Sequence, residues 1–258
     1  GEVEYENYYE GCYVGYRYFS EFNVKPRYPF GYGLSYTNFT HQVNNIIING
    51  TVITVETSVK NVGGYKGKEV LQLYLDGELV AFNKTKTLDI GEETKLQLSF
   101  DMAENGSLDE KRHAFVLHSG EYGLAIGNQF TDDPFAVLSL DREVITELVS
   151  QITEKPDFDD MKSDKLRVFG QELPRYKINA DDFNTVHHDL YLPQFSDKVK
   201  GILSHLRDKD KISLVVGGGY SLFCYNNVMG AAGRTAVNLL KKGIPNIILS
   251  DGPAGLNI

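Results

Sequence analysis

Polar and apolar residues alternate without a break in Lys95-Leu96-Gln97-Leu98-Ser99-Phe100, just after the turn residues Gly91-Glu92. The same period of two is found in Ile53-Thr54-Val55-Glu56-Thr57-Ser58-Val59. Since successive side chains of a strand point to opposite faces, this pattern predicts strands with one buried and one solvated face. Between about Asn38 and Leu140, turn residues separate such stretches roughly every eight to twelve residues, which is typical of a β-sandwich.

Two further stretches extend the predicted sandwich. The three leucines of Leu71–Leu75 form the inner face of a strand that ends at Asp76-Gly77. Residues 115–117 and 122–126 lie on either side of Ser119-Gly120, and we expect them to pair as a closing hairpin. These predicted strands form a structural scaffold, and their pattern indicates no catalytic or binding function.

The first 36 residues differ sharply from the sandwich, because they hold nine of the 16 tyrosines of the chain. Glycines and prolines are interleaved with these rings, so that neither a helical nor a strand period is present. We predict packed loops whose rings cover another domain while their hydroxyl groups stay in contact with water. Stacking of the rings on a ligand is the alternative.

The region after the sandwich is predicted to begin with a short helix at Asp141–Thr153, inside a polar connector that extends from 141 to 195. Apolar side chains at helical spacing then predict an amphipathic helix at Phe195–Leu206. Lys211–Val216 is expected to be a short extension or a strand. The Lys and Arg residues between 198 and 211 are mixed with aspartates, including Asp210, and indicate a solvated helix face.

The last 28 residues have the pattern of an α/β unit. Ala231–Lys242 is predicted to be a helix with Gly243 as its C-cap, and Pro245 follows. Ile247-Ile248-Leu249 is expected to be a buried strand that leads into a glycine-rich loop.

Composition excludes several classes of function. The chain has 258 residues, with 26 basic and 35 acidic side chains and a formal net charge of −9, which argues against nucleic-acid binding. Its longest apolar runs are far shorter than the roughly 18 to 20 residues of a membrane span. The two cysteines suggest neither a disulfide framework nor a zinc site. No signal peptide is found in the chain as given, which favours a cytoplasmic location and leaves the compartment unknown.

Asp251 is the strongest candidate for chemistry, since it directly follows the apolar strand at 247–249. Ligands of α/β folds bind at the carboxyl ends of strands, and a carboxylate there can accept two hydrogen bonds from sugar hydroxyls. A residue that only caps the turn into Gly252-Pro253 is the alternative. The triple glycine at 217–219 lacks the residues of a phosphate loop. His187-His188 has no third ligand at metal-binding spacing, so we expect neither a metal nor a cofactor.

Three groups of motifs resemble glycoside hydrolase family 3, the family of many β-glucosidases and related exo-acting enzymes. The stretch Tyr9–Phe19, followed by Tyr28-Pro29-Phe30-Gly31-Tyr32-Gly33-Leu34-Ser35-Tyr36, looks like the end of that family's α/β sandwich domain. Gly67-Lys68-Glu69-Val70-Leu71-Gln72-Leu73-Tyr74, together with 91–94 and 119–122, is similar to its fibronectin type III-like domain.

The third group looks like the opening of the family's catalytic (β/α)8 TIM barrel. It comprises 211–214, Gly230-Ala231-Ala232-Gly233 and Ser250-Asp251-Gly252-Pro253-Ala254-Gly255-Leu256. The order of the three groups resembles a permuted subgroup of the family. The resemblance therefore implies a mainly β chain in which a fibronectin type III-like β-sandwich is flanked by fragments of an α/β sandwich domain and of a (β/α)8 barrel.

The domain boundaries follow from these motifs. Residues 1–38 are expected to form the C-terminal end of the α/β sandwich domain, and 39–140 the fibronectin type III-like β-sandwich. Residues 141–195 are the connector, and 196–258 are the start of the catalytic barrel.

The resemblance also implies an activity and its residues. The family hydrolyses glycosides with retention, using an Asp nucleophile on a later barrel strand and a Glu acid/base from the α/β sandwich domain. By position, the nucleophile would lie beyond Ile258 and the acid/base before Gly1, so this chain is expected to contain no catalytic residue. Asp251 matches the family Asp that binds hydroxyls of the sugar in the cleaved subsite. Asn257 stands where the family usually has Arg, and it keeps hydrogen bonding without the charge or the bidentate geometry.

We therefore expect a segment of a β-glucosidase-like exo-glycosidase that needs further parts for activity. Its expected substrate is a β-glucoside or an oligosaccharide. Its expected polypeptide partners are the remaining parts of the same enzyme, or partner chains, that complete the barrel and sandwich. A split enzyme assembled from several chains is one form of this hypothesis. The alternative from another class is a non-catalytic β-sandwich module that binds carbohydrate or mediates adhesion.

Overall fold

The computed structural model describes residues 8–150, 160–187, 193–218 and 231–250. The chain divides into two compact units, Gly1–Leu190 and Tyr191–Ile258. Within the described ranges, no helix is long and apolar enough to cross a membrane.

The first unit is built mainly from strands. Its elements are α1 (Tyr16–Glu21), β1 (Phe39–Asn49), β2 (Val52–Asn61), β3 (Val70–Leu75), β4 (Glu78–Lys84), β5 (Glu93–Asp101), β6 (Ser107–Asp109), β7 (Ala114–Leu117), β8 (Gly120–Gly127), β9 (Pro134–Leu140), β10 (Val144–Leu148), β11 (Arg175–Ile178) and β12 (Val186–His187). Short 3₁₀ helices span Met102–Asn105 and Ala180–Asp182.

These strands form three sheets around one core. The strand orders are β1-β2-β5, β12-β10-β7-β6 and β11-β9-β8-β3-β4. Ile53 and Leu98 of the first sheet, Leu117 of the second, and Leu73 and Leu124 of the third belong to the same buried cluster. The predicted mainly β architecture with a sandwich core is therefore confirmed.

The period of two correctly predicts the burial of individual strands. Along β2, every second residue from Ile53 to Asn61 is buried, and in β5 the buried residues are Leu98 and Phe100. The predicted break at Asp76-Gly77 is the turn between β3 and β4. Both residues have positive φ, 50° and 86°, as a two-residue hairpin turn of this kind requires.

The β3 strand is buried on both of its faces, which alternation alone does not predict. The ring of Tyr74 is fully buried, with ring centroids 6.1 Å from Tyr16 and 5.2 Å from Phe130. The Tyr74 hydroxyl donates a hydrogen bond to Gln72, which is also buried. The hydroxyl of Tyr16 in turn accepts a hydrogen bond from the Leu79 backbone N at 3.0 Å. Helix α1 thus covers the second face of this sheet.

The predicted hairpin of residues 115–117 and 122–126 is wrong. Strand β7 pairs with β6 and β10, whereas β8 pairs with β3 and β9 in another sheet. Residues 118 and 119 therefore connect two sheets instead of closing one hairpin. Both strands have suitable alternation, and the choice of partner depends on residues far away in the sequence.

The helix predicted at Asp141–Thr153 is wrong as well, over the part that the structure describes. Residues Val144–Leu148 form β10, which pairs antiparallel with β7 and parallel with β12. The β-branched residues Val144, Ile145 and Thr146 favour a strand, and packing between two neighbouring strands outweighs a weak helical pattern. Strand β11 adds to β9 in parallel register. Parts of the expected connector thus extend two of the three sheets, through β10 and β12 in one and β11 in the other.

The second unit contains α2 (Asp197–His205), α3 (Asp208–Val216), β13 (Ala231–Arg234), a 3₁₀ helix at Val237–Lys242 and β14 (Ile248–Ser250). The amphipathic helix predicted at Phe195–Leu206 is confirmed. Ser196 caps α2 by accepting a hydrogen bond from the Val199 N at 3.4 Å. Residues 211–216 belong to α3 and are helical. The buried apolar side chains described in this unit are Leu206 and Leu239.

Candidate functional site

The two residues predicted to bind sugar, Asp251 and Asn257, lie outside the described residues. The structure does describe the segment that leads directly to them. This segment is the β13–β14 hairpin, and its last described residue is Ser250.

The hairpin differs from the predicted α/β unit. Ala231–Arg234 is a strand instead of the start of a helix, and it pairs antiparallel with β14 through Ala231↔Ser250 and Arg234↔Ile248. The helical part is limited to the 3₁₀ turn at Val237–Lys242. The expected C-cap is confirmed, since Gly243 adopts a left-handed conformation with φ of 84°.

The strand after Pro245 is exposed and not buried as predicted. The exposed fractions of Ile247, Ile248 and Leu249 are 54%, 42% and 60%. Among the described residues β14 pairs only with β13, so its other edge and both apolar faces remain open. Three consecutive apolar residues in this state form an unpartnered surface.

Thr235 holds the base of this hairpin. Its backbone N donates to the Ile247 carbonyl at 2.9 Å, and its Oγ1 accepts from the Ile247 N at 2.8 Å. The same hydroxyl donates to the Pro245 carbonyl at 3.0 Å. A hydroxyl that both donates and accepts in this way links the two ends of the loop between β13 and β14. Thr235 thereby fixes the start of β14 relative to the end of β13.

Asp210 is a buried carboxylate that the sequence analysis placed on a solvated face. Its exposed fraction is only 2%. The Arg207 backbone N donates to Asp210 Oδ2 at 3.0 Å, and Arg207 Nε lies 3.2 Å from the same oxygen. Lys242, at the end of the 3₁₀ helix, forms a close ion pair with this carboxylate. The prediction fails here because the partner of Asp210 is 32 residues away along the chain.

This ion pair connects the start of α3 to the segment that precedes β14. The hydrogen bond from Lys242, with a further contribution from Arg207, holds the pKa of Asp210 well below its usual value. Since its pKa is lowered in the folded state, the carboxylate contributes stability above the pKa of an unfolded Asp, about 3.9. That contribution is lost as the pH falls further toward the folded pKa.

We therefore expect Asp210→Asn to lower the melting temperature of the second unit at neutral pH. The difference from the unchanged chain should shrink as the pH falls below about 4, because the unfolded chain binds a proton at Asp210 there while the folded carboxylate, with its lowered pKa, stays ionised. Asp208→Asn is the matched control, because Asp208 has a 93% exposed side chain that pairs only at the surface with Lys211. Thermal unfolding followed by circular dichroism across the acid range measures both variants. An equal effect of the two substitutions at neutral pH would contradict this role of Asp210.

The other candidate residues serve structural roles where the structure describes them. Gly217 ends α3 with φ of 70°, as expected for a glycine break, and Gly218 exchanges backbone hydrogen bonds with Arg234. His187 lies at the exposed end of β12, and His188 falls outside the described residues. Over the described ranges, no group of three or more potential ligands could hold a metal ion.

The tyrosine-rich segment is partly packed and partly exposed. Tyr16 is half-buried and packs against Phe30 and Phe130, at ring-centroid distances of 5.2 and 5.1 Å. Tyr28 and Tyr32 stack on each other, with centroids 5.0 Å apart, yet both remain exposed. The predicted packed loops are thus interrupted by helix α1, and the rings of Tyr28 and Tyr32 remain on the outer surface.

The amino-acid sequence and the fold of the chain were compared with those of known proteins. No protein-family profile matches the chain. In an alignment 291 positions long, the chain is 30% identical to a β-glucosidase of Ruminococcus albus. This alignment covers 97% of the chain and 30% of that protein. It is 25% identical to β-glucosidase A of Butyrivibrio fibrisolvens, covering 99% of this chain and 38% of that protein.

A solved structure agrees with these relatives. The crystal structure of a β-glucosidase from Paenibacillus barengoltzii matches with a TM-score of 0.64 and 26% identity, covering 100% of this chain and 33% of that one. The chain thus spans about a third of the length of these three proteins.

Proposed function

We propose that this chain forms part of a retaining exo-acting β-glycosidase. The chain is β-glucosidase-like over nearly its whole length and resembles glycoside hydrolase family 3. The proposed reaction removes terminal β-linked glucose from glucosides or oligosaccharides. One observation carries the proposal: a single relative aligns with 97% of the chain, across both compact units and in the same order. A stand-alone sandwich module would be expected to match over the first unit only.

Asp251 is proposed to bind hydroxyl groups of the terminal sugar. The exit of β14 supports this role, since the residue follows the strand end directly and the Thr235 contacts hold the preceding loop. A carboxylate accepts charge-assisted hydrogen bonds, which are stronger than neutral ones. Asn257 is proposed as a weaker, uncharged contact in the same loop region.

The catalytic step requires two further carboxylates. In retaining enzymes the nucleophile and the acid/base lie roughly 5 to 5.5 Å apart on either side of the glycosidic bond. The resemblance matches no residue of this sequence to either role. We therefore expect both groups to come from polypeptide other than these 258 residues, and the chain alone to be inactive.

We propose the domain assignment that the motifs imply. Residues 1–38 are the end of an α/β sandwich domain, and 39–140 form a fibronectin type III-like domain. Residues 141–195 are a connector, and 196–258 are the start of a (β/α)8 barrel. The antiparallel pairing among β1 to β9 and the core that these strands share support the second of these. The last assignment rests on the resemblance alone, because β14 pairs antiparallel with β13 whereas neighbouring strands of a (β/α)8 barrel are parallel.

The expected partner is polypeptide that completes the enzyme. Large apolar side chains are exposed throughout the tyrosine-rich segment, and several of them are more than half exposed. They include Tyr8, Val14, Tyr28, Tyr32, Leu34 and Tyr36. Exposed apolar surface of this extent marks contact sites for other protein surfaces. The greater length of the relatives supports a partner that supplies catalytic parts.

Native mass spectrometry of the protein as isolated from its source, combined with an assay on an aryl β-glucoside, tests the proposal. We expect a complex larger than 28.9 kDa that hydrolyses the glucoside, and no hydrolysis by the monomeric chain. A monomeric chain that binds oligosaccharides without any hydrolytic complex would favour the carbohydrate-binding module instead. Turnover by a demonstrably monomeric sample would show that the catalytic pair is wrongly assigned.

A further inference from the structure

An exposed asparagine at the end of β1, Asn49, is followed directly by the turn residue Gly50. Asn49 is the last residue of β1 and pairs with Val52, so that only Gly50 and Thr51 form the turn. Gly50 has φ of 62°, which suits the first position of a type II′ hairpin turn. The side chain of Asn49 is exposed, and no hydrogen bond of its amide group is found within the described part of the chain.

We propose that Asn49 is a site of spontaneous deamidation in the folded protein. The backbone nitrogen of Gly50 attacks the Asn49 side-chain carbonyl carbon, and the side-chain nitrogen leaves as ammonia. The product is a five-membered succinimide ring. Water then opens this ring at either carbonyl and gives aspartate or isoaspartate. The reaction consumes one water, releases one ammonia and needs no oxidant or enzyme.

Two features of the turn favour this reaction. Glycine carries no side chain, so the attacking nitrogen is not shielded, and its backbone reaches the required conformation more easily than any other residue. The pair Asn49↔Val52 closes the turn, so that the attacking nitrogen of Gly50 lies just outside the ladder of paired residues. β1 is an edge strand, since it pairs only with β2 among the described strands.

A second Asn-Gly pair, Asn105-Gly106, is held in place and provides an internal comparison. The Asn105 amide donates a hydrogen bond to the Asp101 carbonyl at 2.8 Å. Gly106 lies in a tight space, since a Cβ there would be 2.9 Å from Thr146 Oγ1 and 3.1 Å from the Val116 N. The amide of Asn105 is thus engaged and its backbone is confined. The same dipeptide should react more slowly there.

Conversion of Asn49 would change the tip of the hairpin in two ways. Either product adds a negative charge, in a place where a Cβ on Gly50 would lie 4.0 Å from the Asp182 Cβ. Isoaspartate also adds a methylene group to the backbone. That insertion displaces Thr51, whose carbonyl accepts a hydrogen bond from the Met102 N at 2.9 Å. We expect the damage to stay local to this end of the sheet.

Peptide mapping by mass spectrometry tests the proposal on the intact 258-residue chain after incubation at mildly alkaline pH. We expect Asn49 to convert at least about tenfold faster than Asn105, which corresponds to ~1.4 kcal/mol of activation free energy. In denaturant the two rates should become similar, because both sites have the same dipeptide sequence. Hydroxylamine cleavage after residue 49 would trap the succinimide.

Three outcomes would overturn the proposal. These are equal rates at the two sites in the folded chain, faster conversion of Asn105, or an unmodified Asn49 in folded protein when the denatured chain has already reacted. Each outcome concerns only the hairpin. The result is therefore independent of whether the proposed glycosidase activity is correct.

Discussion

Asp251→Ala is expected to lower kcat/KM for an aryl β-glucoside by roughly 10²- to 10³-fold in the assembled enzyme. The carboxylate is proposed to accept hydrogen bonds from sugar hydroxyls, and such bonds strengthen as positive charge develops on the sugar in the transition state. Alanine removes both the acceptor and the negative charge. Asp251→Asn keeps an acceptor and should lose less. Initial rates over a range of substrate concentrations measure these losses.

Asp208→Ala is the matched control for Asp251. It also removes one carboxylate from the second unit, but this side chain is 93% exposed and, among the described residues, its ion pair is with Lys211. Its kcat/KM should stay within about twofold of that of the unchanged chain, since surface substitutions change stability by no more than ~0.5 kcal/mol. Activity of Asp251→Ala equal to that of Asp208→Ala would leave Asp251 as a residue that only caps the turn.

Tyr74→Ala is expected to lower the free energy of unfolding of the first unit by about 3–5 kcal/mol. The ring is fully buried in β3 and contacts the rings of Tyr16 and Phe130. Its removal leaves a cavity beneath α1, and Gln72 loses the hydroxyl that donates to it. Tyr74→Phe keeps the ring and should cost only about 1 kcal/mol, because it removes one hydrogen bond. Urea denaturation followed by circular dichroism measures both values.

Tyr36→Ala serves as the control for Tyr74, because Tyr36 is 88% exposed. Its effect should stay within about 0.5 kcal/mol of zero. If Tyr74→Ala costs no more than Tyr36→Ala, the first unit does not depend on the contact between α1 and β3. The tyrosine-rich segment would then be only loosely attached to the sandwich.

The resemblance to one enzyme family is carried by short motifs, and for this reason it is readable from the sequence. The motif at 28–36 combines glycines and a proline with aromatic residues, and the motif at 250–256 combines glycines and a proline with an aspartate. The position of Asp251 after an apolar strand is local information of the same kind. How the loop from 251 onward is arranged depends on contacts that the motif does not contain.

The sequence by itself determined the strands whose pattern is local. Alternation placed the buried faces of β2 and β5, and Asp76-Gly77 placed the turn between β3 and β4, because side-chain direction and turn conformation depend on neighbouring residues.

Only the tertiary structure decided which strands pair and which charges are buried. β7 and β8 join different sheets, residues 144–148 form a strand instead of a helix, and Asp210 is buried by a lysine 32 residues away. The physical reason is the same in each case. The free energy of pairing and burial comes from partners distant in sequence, and it exceeds the small local preference of each segment.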